Sequence, residues 1–351
     1  DPADVYRESK EYQAAKADLD KGVFASAGNV TVPIFEHVYA QSPWMQFKVL
    51  MYRSGFSVLR DTGNMKAQFM SIVIMGLIIG SLYWQMDLNQ SGATNRVALN
   101  FLVMAFSFYT GSYKISMLVN ARASTFRETT ANMYKSWMLY VTDMLADTIV
   151  FVPKATIFAI LVYFMTGMTL EDNGLHFASY LGMLITVFWL ALANAEFFAF
   201  VSPNQKLAQA YFSTVQTVFN LFCGFLIRKD NIPPWWIWLY YGNIIRYPLN
   251  FFNVNELENL TFSCPGNEGA IPVQVQASYT DGSQTVICDQ SQRNNPLCFK
   301  YACPITQGQD ILDAYGMTEG IDLYVGVTFA MVIAIRLFNA YASSNINWVD
   351  K

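Results

Sequence analysis

The chain has 351 residues, of which 53% are hydrophobic and only 14% charged, with a formal net charge of −4. A soluble domain carries about 25% charged residues, so most of this chain is unlike an ordinary globular protein. The slight acidity and the lack of any dense Lys/Arg patch speak against a nucleic-acid partner.

Residues 1–40 are polar. DPADVYRESKEYQAAKADLDKG reads as a short helix ending at Gly22, followed by a loop through Pro33, and the stretch is expected to be a cytoplasmic linker. The first 60 residues hold no early apolar core of a signal peptide, so membrane insertion is expected to start from an internal segment. Residues 43–62, PWMQFKVLMYRSGFSVLRDT, place Trp44, Phe47, Leu50, Met51, Ser54 and Val58 near helical spacing, with Lys48, Arg53 and Arg60 on other faces. That pattern predicts an amphipathic helix lying along a membrane surface.

From Ala67 to Met86 the chain runs AQFMSIVIMGLIIGSLYWQM, without an ionisable side chain. About 20 mostly apolar residues suffice to cross a bilayer, and a single segment satisfies its own backbone there only as a helix. Six spans are predicted, at about 66–86, 97–119, 138–167, 175–201, 207–227 and 323–342, the third punctuated by Pro153. The fold class expected is therefore an all-α integral membrane protein, with residues 41–351 forming the membrane domain.

Lys and Arg collect on the cytoplasmic side. Lys48, Arg53, Arg60 and Lys66 precede the first span, Arg122, Arg127 and Lys135 lie between the second and third, and Lys206 lies between the fourth and fifth. The opposite loops hold Arg96 alone and the uncharged-by-base EDNG at 171–174, with Arg228 and Lys229 weakly against the rule. Both ends are then expected in the cytoplasm, and Arg336, inside the last span, is expected to snorkel to the headgroups. Residues 228–322 fall outside as an extracellular loop. Within it IPPWWIWLYYGNIIRYPLNFF (232–252) is too short and broken for a full crossing and reads as an interfacial or re-entrant helix pair. The same loop holds Cys264, Cys288, Cys298 and Cys303, which suggest two disulfides with three possible connectivities. Their spacing lacks the paired short gaps of zinc modules. Cys223, in the fifth span, reads as a small buried apolar residue. Asn89 and Asn259 head glycosylation sequons that land outside; Asn29 heads one that lands inside.

No phosphate-cradling GxxxxGK[ST], no GxSxG, HExxH or CxxC occurs, and His37 and His176 fall on opposite sides of the membrane. No reaction, cofactor or metal is assigned to the chain. Intramembrane charges are functional candidates by default. Asp143 and Asp147 are one turn apart in the third span, and Lys154 shares a face with Asp147. They read either as an ion relay, hence an ATP-independent ion-coupled carrier, or as an internal ion pair at a wetted helix end. Glu196 has the same two readings.

Several segments match a known family in order. QSPWMQFKVLMYRS (41–54) is similar to a connecting helix, FRETTANMY (126–134) to an F-x-R-E…MY segment, SPNQKLAQA (202–210) to an [ST]-P-N…A loop, and GFLIRKDNIPPWWIWLYYGNIIRYPL (224–249) to a stretch that follows span five. Together they resemble the transmembrane domain of G-type ABC transporters, especially the pleiotropic drug resistance subfamily. The sequence departs from that pattern at Phe151-Val152, where an acidic residue is usual before the Pro-containing turn, and in the basic pair Arg228-Lys229. The resemblance implies an ATP-driven exporter of hydrophobic or amphipathic compounds, of the efflux and multidrug-resistance type, in the plasma membrane. Nucleotide-binding domains carrying ATP and Mg²⁺ would be partners, as would a second transmembrane domain, either an identical chain or another half of one polypeptide; the linker-like start reads as that of the second half of a longer polypeptide. The resemblance further implies a substrate cavity from Phe106, Tyr109, Thr217, Asn220 and Phe222. It implies an exit plug at Phe225 and Leu226, and a coupling loop at Phe126, Arg127 and Glu128. An aromatic cavity with few polar groups favours flat, apolar substrates by burial.

Thiol labelling of the intact protein without reductant is expected to miss Cys264, Cys288, Cys298 and Cys303; ready labelling of all four removes the disulfides or reverses the topology.

Overall fold

The structure is a computed structural model. It describes residues 9–20, 39, 41–170, 172–263, 305–346 and 348, and the backbone of the strand residues 271–274, 278–281, 284–287 and 299–302. Two compact units divide at Ser42 and Pro43. In the first, α1 (Lys10–Asp20) buries none of its residues. Its composition, KEYQAAKADLD, is that of a solvated helix without an apolar stripe.

The second unit is a helical bundle. Its elements are α2 (Pro43–Arg60), α3 (Thr62–Leu82), α4 (Gln90–Tyr109), a 3₁₀ turn (Thr110–Ser112), α5 (Tyr113–Thr130), α6 (Ser136–Thr166), α7 (Leu175–Val201) and α8 (Gln205–Leu221). After them come short α9 (Ile237–Tyr241), α10 (Arg246–Leu257), α11 (Gly308–Ala314) and α12 (Ile321–Asn345). Asp61 caps α3 through the Asn64 amide, Asn89 caps α4 through Gly92, and Asn204 caps α8 through Leu207, each side-chain oxygen satisfying a backbone donor the helix cannot. Gly167, with φ +69°, ends α6 in the left-handed conformation that glycine adopts without strain.

Burial orders the bundle. The most apolar stretch of α7 is 72% buried, against 22% for those of α3 and α12. Accordingly α7 is central, packed by α4, α5, α6, α8, α10 and α12, while α3 lies outside against α6. The α3–α6 contact is close because Gly76 and Gly80 share a face: an added Cβ would meet the Leu161 side chain at 3.0 Å and Met165 at 2.8 Å. Small residues four apart let two membrane helices approach in this way. Gly111 does the same at the α4–α5 junction, where a Cβ would stand 2.6 Å from the Ala191 carbonyl oxygen of α7.

The expected spans map unevenly. The fourth is α7 to the residue, and the third and last are α6 and α12 with small extensions. The second is not one straight segment. Its helix begins at Gln90, turns at Thr110–Ser112 and continues to Thr130, so the 120–137 stretch read as a loop is largely helix. The fifth is shorter: α8 has 17 residues, and bends replace helix from Phe222, with Gly224 at φ +98°. Among the described residues five helices are long and apolar enough to cross a membrane, counting α4 and α5 as one, and α8 with 17 residues falls just short of that length.

Four short strands qualify the all-helical reading. Ile271–Gln274 pairs antiparallel with Phe299–Ala302, and Ser278–Asp281 with Gln284–Ile287. Cys264, Cys288, Cys298, Cys303 and Asn29 lie outside the described residues. The segment read as an interfacial or re-entrant pair holds α9 and α10, and every residue of α10 is buried while Trp235, Trp238 and Tyr241 before it are exposed. On α2 the buried face is Gln46, Leu50 and Ser54, against α6, and Trp44, Val49, Tyr52 and Phe56 are left exposed.

Gly111→Ala is expected to lower the thermal midpoint of the purified protein, since a backbone carbonyl must yield, at a cost of about 1–3 kcal/mol. Gly182→Ala, which meets nothing within 4 Å in α7, is expected to leave the midpoint level or raise it. Equal midpoints for the two variants would remove the close α7 contact.

Candidate functional site

The α4–α8 flank carries the residues expected to line a cavity. Tyr109 and Thr217 come together, with hydroxyls 3.4 Å apart, and Tyr109 also meets the Phe212 ring edge-on at 6.4 Å. Both Tyr109 and Thr217 are exposed. The other three diverge: Phe106 packs on Phe158 of α6 at 5.2 Å, Phe222 on Trp236 at 5.9 Å, and the buried Oδ1 of Asn220 has no hydrogen-bond partner among the described residues. A residue absent from the sequence reading joins them. Gln216 is fully buried on α8, with neither side-chain polar atom bonded to a described residue. Beyond α8, Phe225 is held between Phe101 at 4.7 Å and Tyr315 at 6.1 Å, while Leu226 is half exposed.

The segment from Gln90 to Thr130 has 41 residues, about twice what a bilayer crossing needs. At the far end of α5, the residues expected to form a coupling loop, Phe126, Arg127 and Glu128, stand on a helix. There Arg53 of α2 grips Glu128 with both guanidinium nitrogens, at 2.7 and 3.2 Å, and the Tyr134 hydroxyl donates to the same carboxylate. Burial works against the Glu128 carboxylate, but these hydrogen bonds outweigh it and hold the carboxyl below its usual range; the same bond raises Arg53. Arg127 is exposed, and Phe126 lines a cavity of about 100 Å³ with Arg122, Asp143, Glu196 and Trp348. Arg122 caps the C-terminus of α7, donating to Ser202 O at 2.7 Å and Pro203 O at 2.8 Å.

The Asp143, Asp147 and Lys154 set does not form one relay. Each turns to a different helix. Asp143 accepts from Ser54 Oγ of α2, Asp147 pairs with Lys114 of α5 at 2.5 Å, and Lys154 Nζ donates to Gln68 Oε1 of α3 at 2.5 Å. Arg336 does not snorkel. It is buried and donates to Glu196 Oε2 at 2.5 Å and to the Tyr140 hydroxyl at 3.1 Å, while Tyr140 in turn donates to Glu196 at 2.9 Å. Lys114 escaped notice because it sits within a predicted span; its signal is a lone cation among apolar neighbours.

The other end is closed by two further pairs. Arg96, expected in a loop, is buried on α4 and pairs with Glu256 of α10, which also accepts from the Thr169 amide; a second Arg96 nitrogen donates to Met86 O at 2.9 Å. Arg246 reaches both Glu319 oxygens at 2.9 Å and lies 4.2 Å from the Tyr240 ring centre. Asn89 is occupied as a cap, its Oδ1 accepting from Gly92 N at 2.7 Å and Ser91 Oγ at 2.9 Å, while Asn259 is exposed.

Comparison with known proteins agrees with this architecture. The family profile described as ABC-2 type transporter matches residues 45–257. ABC transporter G family member 2 of Dictyostelium discoideum is 28% identical over 319 residues, covering 90% of this chain and 23% of that protein. ABC transporter G family member 16 of Arabidopsis thaliana is 24% identical over 294 residues, covering 83% of this chain and 39% of its own length. The chain thus spans well under half the length of the curated relatives it matches. With most of its bundle inside the matched region and several helices apolar enough to cross a bilayer, the chain belongs to the ABC-2 type transporter family as a multi-pass membrane domain whose homologues are ABC transporter G family members.

Proposed function

We propose that this chain is the membrane-spanning half of an ATP-driven exporter of hydrophobic or amphipathic compounds in the plasma membrane, of the pleiotropic drug resistance type. ATP and Mg²⁺ belong in this reading to a nucleotide-binding domain outside the chain, and both chain ends face the cytoplasm. The observation that carries the reading is the open flank of α4 and α8. Only Ala208, Phe212 and Gln216 of α8 are buried, while Leu207, Tyr211 and Leu221 are exposed beside Leu102 and Tyr109 of α4. An apolar and aromatic face of this kind is completed by a second transmembrane domain, and the space between would take flat apolar molecules by burial. Phe225 and Leu226, at one end of that flank, would close its outer exit.

The Arg53–Glu128 pair supports a role for the end of α5 in coupling. It locks that end to α2, so a push on either is felt by both. The separation of Asp143, Asp147 and Lys154 onto three different partners weighs against an ion-coupled carrier, because a relay needs its groups within hydrogen-bond reach of one another.

Two experiments test the reading. In vesicles holding the full assembly, uptake of a fluorescent apolar dye is expected to require ATP hydrolysis; uptake driven by a proton gradient and abolished by Asp147→Asn would replace this reading with the carrier. Glu128→Ala is expected to insert normally and keep its partner's ATP hydrolysis while export falls several-fold, and the exchange Arg53→Glu with Glu128→Arg is expected to restore part of it. Unchanged export in Glu128→Ala would take coupling away from this pair.

A further inference from the structure

Among the described residues five cations are buried: Arg96, Lys114, Lys154, Arg246 and Arg336. Four of them rest on a carboxylate, from Glu256, Asp147, Glu319 and Glu196 respectively. Lys154 has none. Its Nζ donates one hydrogen bond, to Gln68 Oε1, and lies 5.1 Å from the centre of the Tyr113 ring. An ammonium has three donors, so an amide and a ring leave both charge and hydrogen-bonding capacity over. Asp147, the acid nearest along α6, acts on Lys154 from beyond ion-pair distance while its carboxylate is bonded to Lys114. A buried charge without a contacting counter-charge costs several kcal/mol, and in a membrane helix such a group marks a binding or transport site by default.

The surroundings of Lys154 fit a ligand. It borders an open groove of about 320 Å³ between α3, α6 and the α4–α5 junction. Gln68, Ser71, Thr110, Ser112 and Tyr113 line the same groove, a row of hydroxyls and one amide on a flank otherwise made of apolar side chains. Ser71 and Tyr109 are exposed, so the groove opens on the outside of this bundle. Gln68 is six residues from Thr62, the start of α3, hence about 9 Å along that helix. With the start of α3 at headgroup level, this puts Gln68 where headgroups give way to acyl chains.

We propose that this groove binds the anionic headgroup of a membrane phospholipid, drawn from the leaflet that α2 borders. Lys154 supplies the missing counter-charge to the phosphate or carboxylate. Ser112 and Tyr113 donate neutral hydrogen bonds to its other oxygens, while the Thr110 hydroxyl is held by Ser107 O at 2.6 Å. The acyl chains lie along the exposed apolar residues of α3, Met70, Ile74 and Leu77. The groove shares Phe106 and Tyr109 with the region proposed to meet substrate, but the headgroup contact at Lys154 is read by lipid retention, without ATP or export.

The test uses the full chain in nanodiscs of phosphatidylcholine with a minor fraction of phosphatidylserine, followed by quantification of the lipid that stays bound on extraction. The wild type is expected to retain phosphatidylserine in preference. Lys154→Gln is expected to reduce that preference about tenfold, the worth of one desolvated hydrogen bond to a charge, while Lys154→Arg and the exposed-site control Lys48→Gln keep it. Glycerophosphoserine, the headgroup without chains, is expected not to displace the lipid at equal concentration. Equal retention of both lipids by the wild type, unchanged preference in Lys154→Gln, or displacement by the chain-free headgroup would each overturn the proposal, the last by making this a site for soluble anions. Should Lys154→Gln fail to fold, a headgroup-photoactivated phosphatidylserine on the wild type decides: adducts are expected on residues 66–72 or 110–114, and adducts confined elsewhere overturn it.

Discussion

Among the described residues four of the five buried cations meet a carboxylate from another segment, and those pairs govern how these helices sit. Lys114–Asp147 joins α5 to α6, Glu196–Arg336 joins α7 to α12, Arg96–Glu256 joins α4 to α10, and Arg246–Glu319 ties α10 to the segment leading into α12. Such pairs add little net stability over a well-packed apolar contact, because desolvation consumes most of the attraction; losing one partner, by contrast, costs about 3–5 kcal/mol. Their effect is therefore on which packing is allowed. Lipid-facing helices slide on one another at small cost, since leucine against leucine differs little from leucine against an acyl chain. A helix carrying Glu196 can take only the register that brings Arg336 and Tyr140 to it.

The bundle was legible in the sequence wherever a local signal decided the outcome. The span at 175–201 was readable to the residue, because Gly174 opens it and Ser202-Pro203 closes it around an uninterrupted apolar run. The Pro153-containing span was readable for the same reason, its length set by Lys135 and Gly167. Where two local signals competed, the boundary moved. The apolar run after Leu221 favoured more helix, yet Gly224 takes a left-handed conformation and the chain bends away. The charges of FRET at 126–129 suggested a loop, yet those residues continue α5. Helix propensity and the bond from Glu128 to Arg53 outweigh charge there.

Pairing was not legible, and the reason is physical. Asp147 and Lys154 share a face of α6, so spacing along one helix makes them partners. In three dimensions each has a nearer group on a neighbouring helix, Lys114 for one and Gln68 for the other. The same non-locality hid the fate of Arg336, whose depth along α12 is compatible with snorkelling until α7 brings Glu196 alongside it. The cavity residues were chosen by position along the second and fifth spans; the structure joins Tyr109 to Thr217 and lines one groove with Phe106 and Tyr109, while Phe106 also packs on Phe158.

The end of the bundle where α2, α5 and α6 meet shows what such pairing achieves mechanically. Arg53 and Ser54 are neighbours on α2; one binds Glu128 at the end of α5, the other binds Asp143 on α6. Asp143 and Asp147 are one turn apart on α6, and Asp147 returns to α5 through Lys114. The three helices thus form a closed brace, with α5 held at two points fourteen residues, about 21 Å, apart. A helix held at one point can pivot; held at two, it moves only with the partners that hold it. Displacement at Glu128 must then carry α2 and α6 along, or break the exposed Arg53–Glu128 bond, the weaker of the two holds because water competes for it. The solvent-reachable hold is the one that can be released without opening the core, which places any adjustable contact of this brace at the end of α5 and its fixed pivot at Lys114.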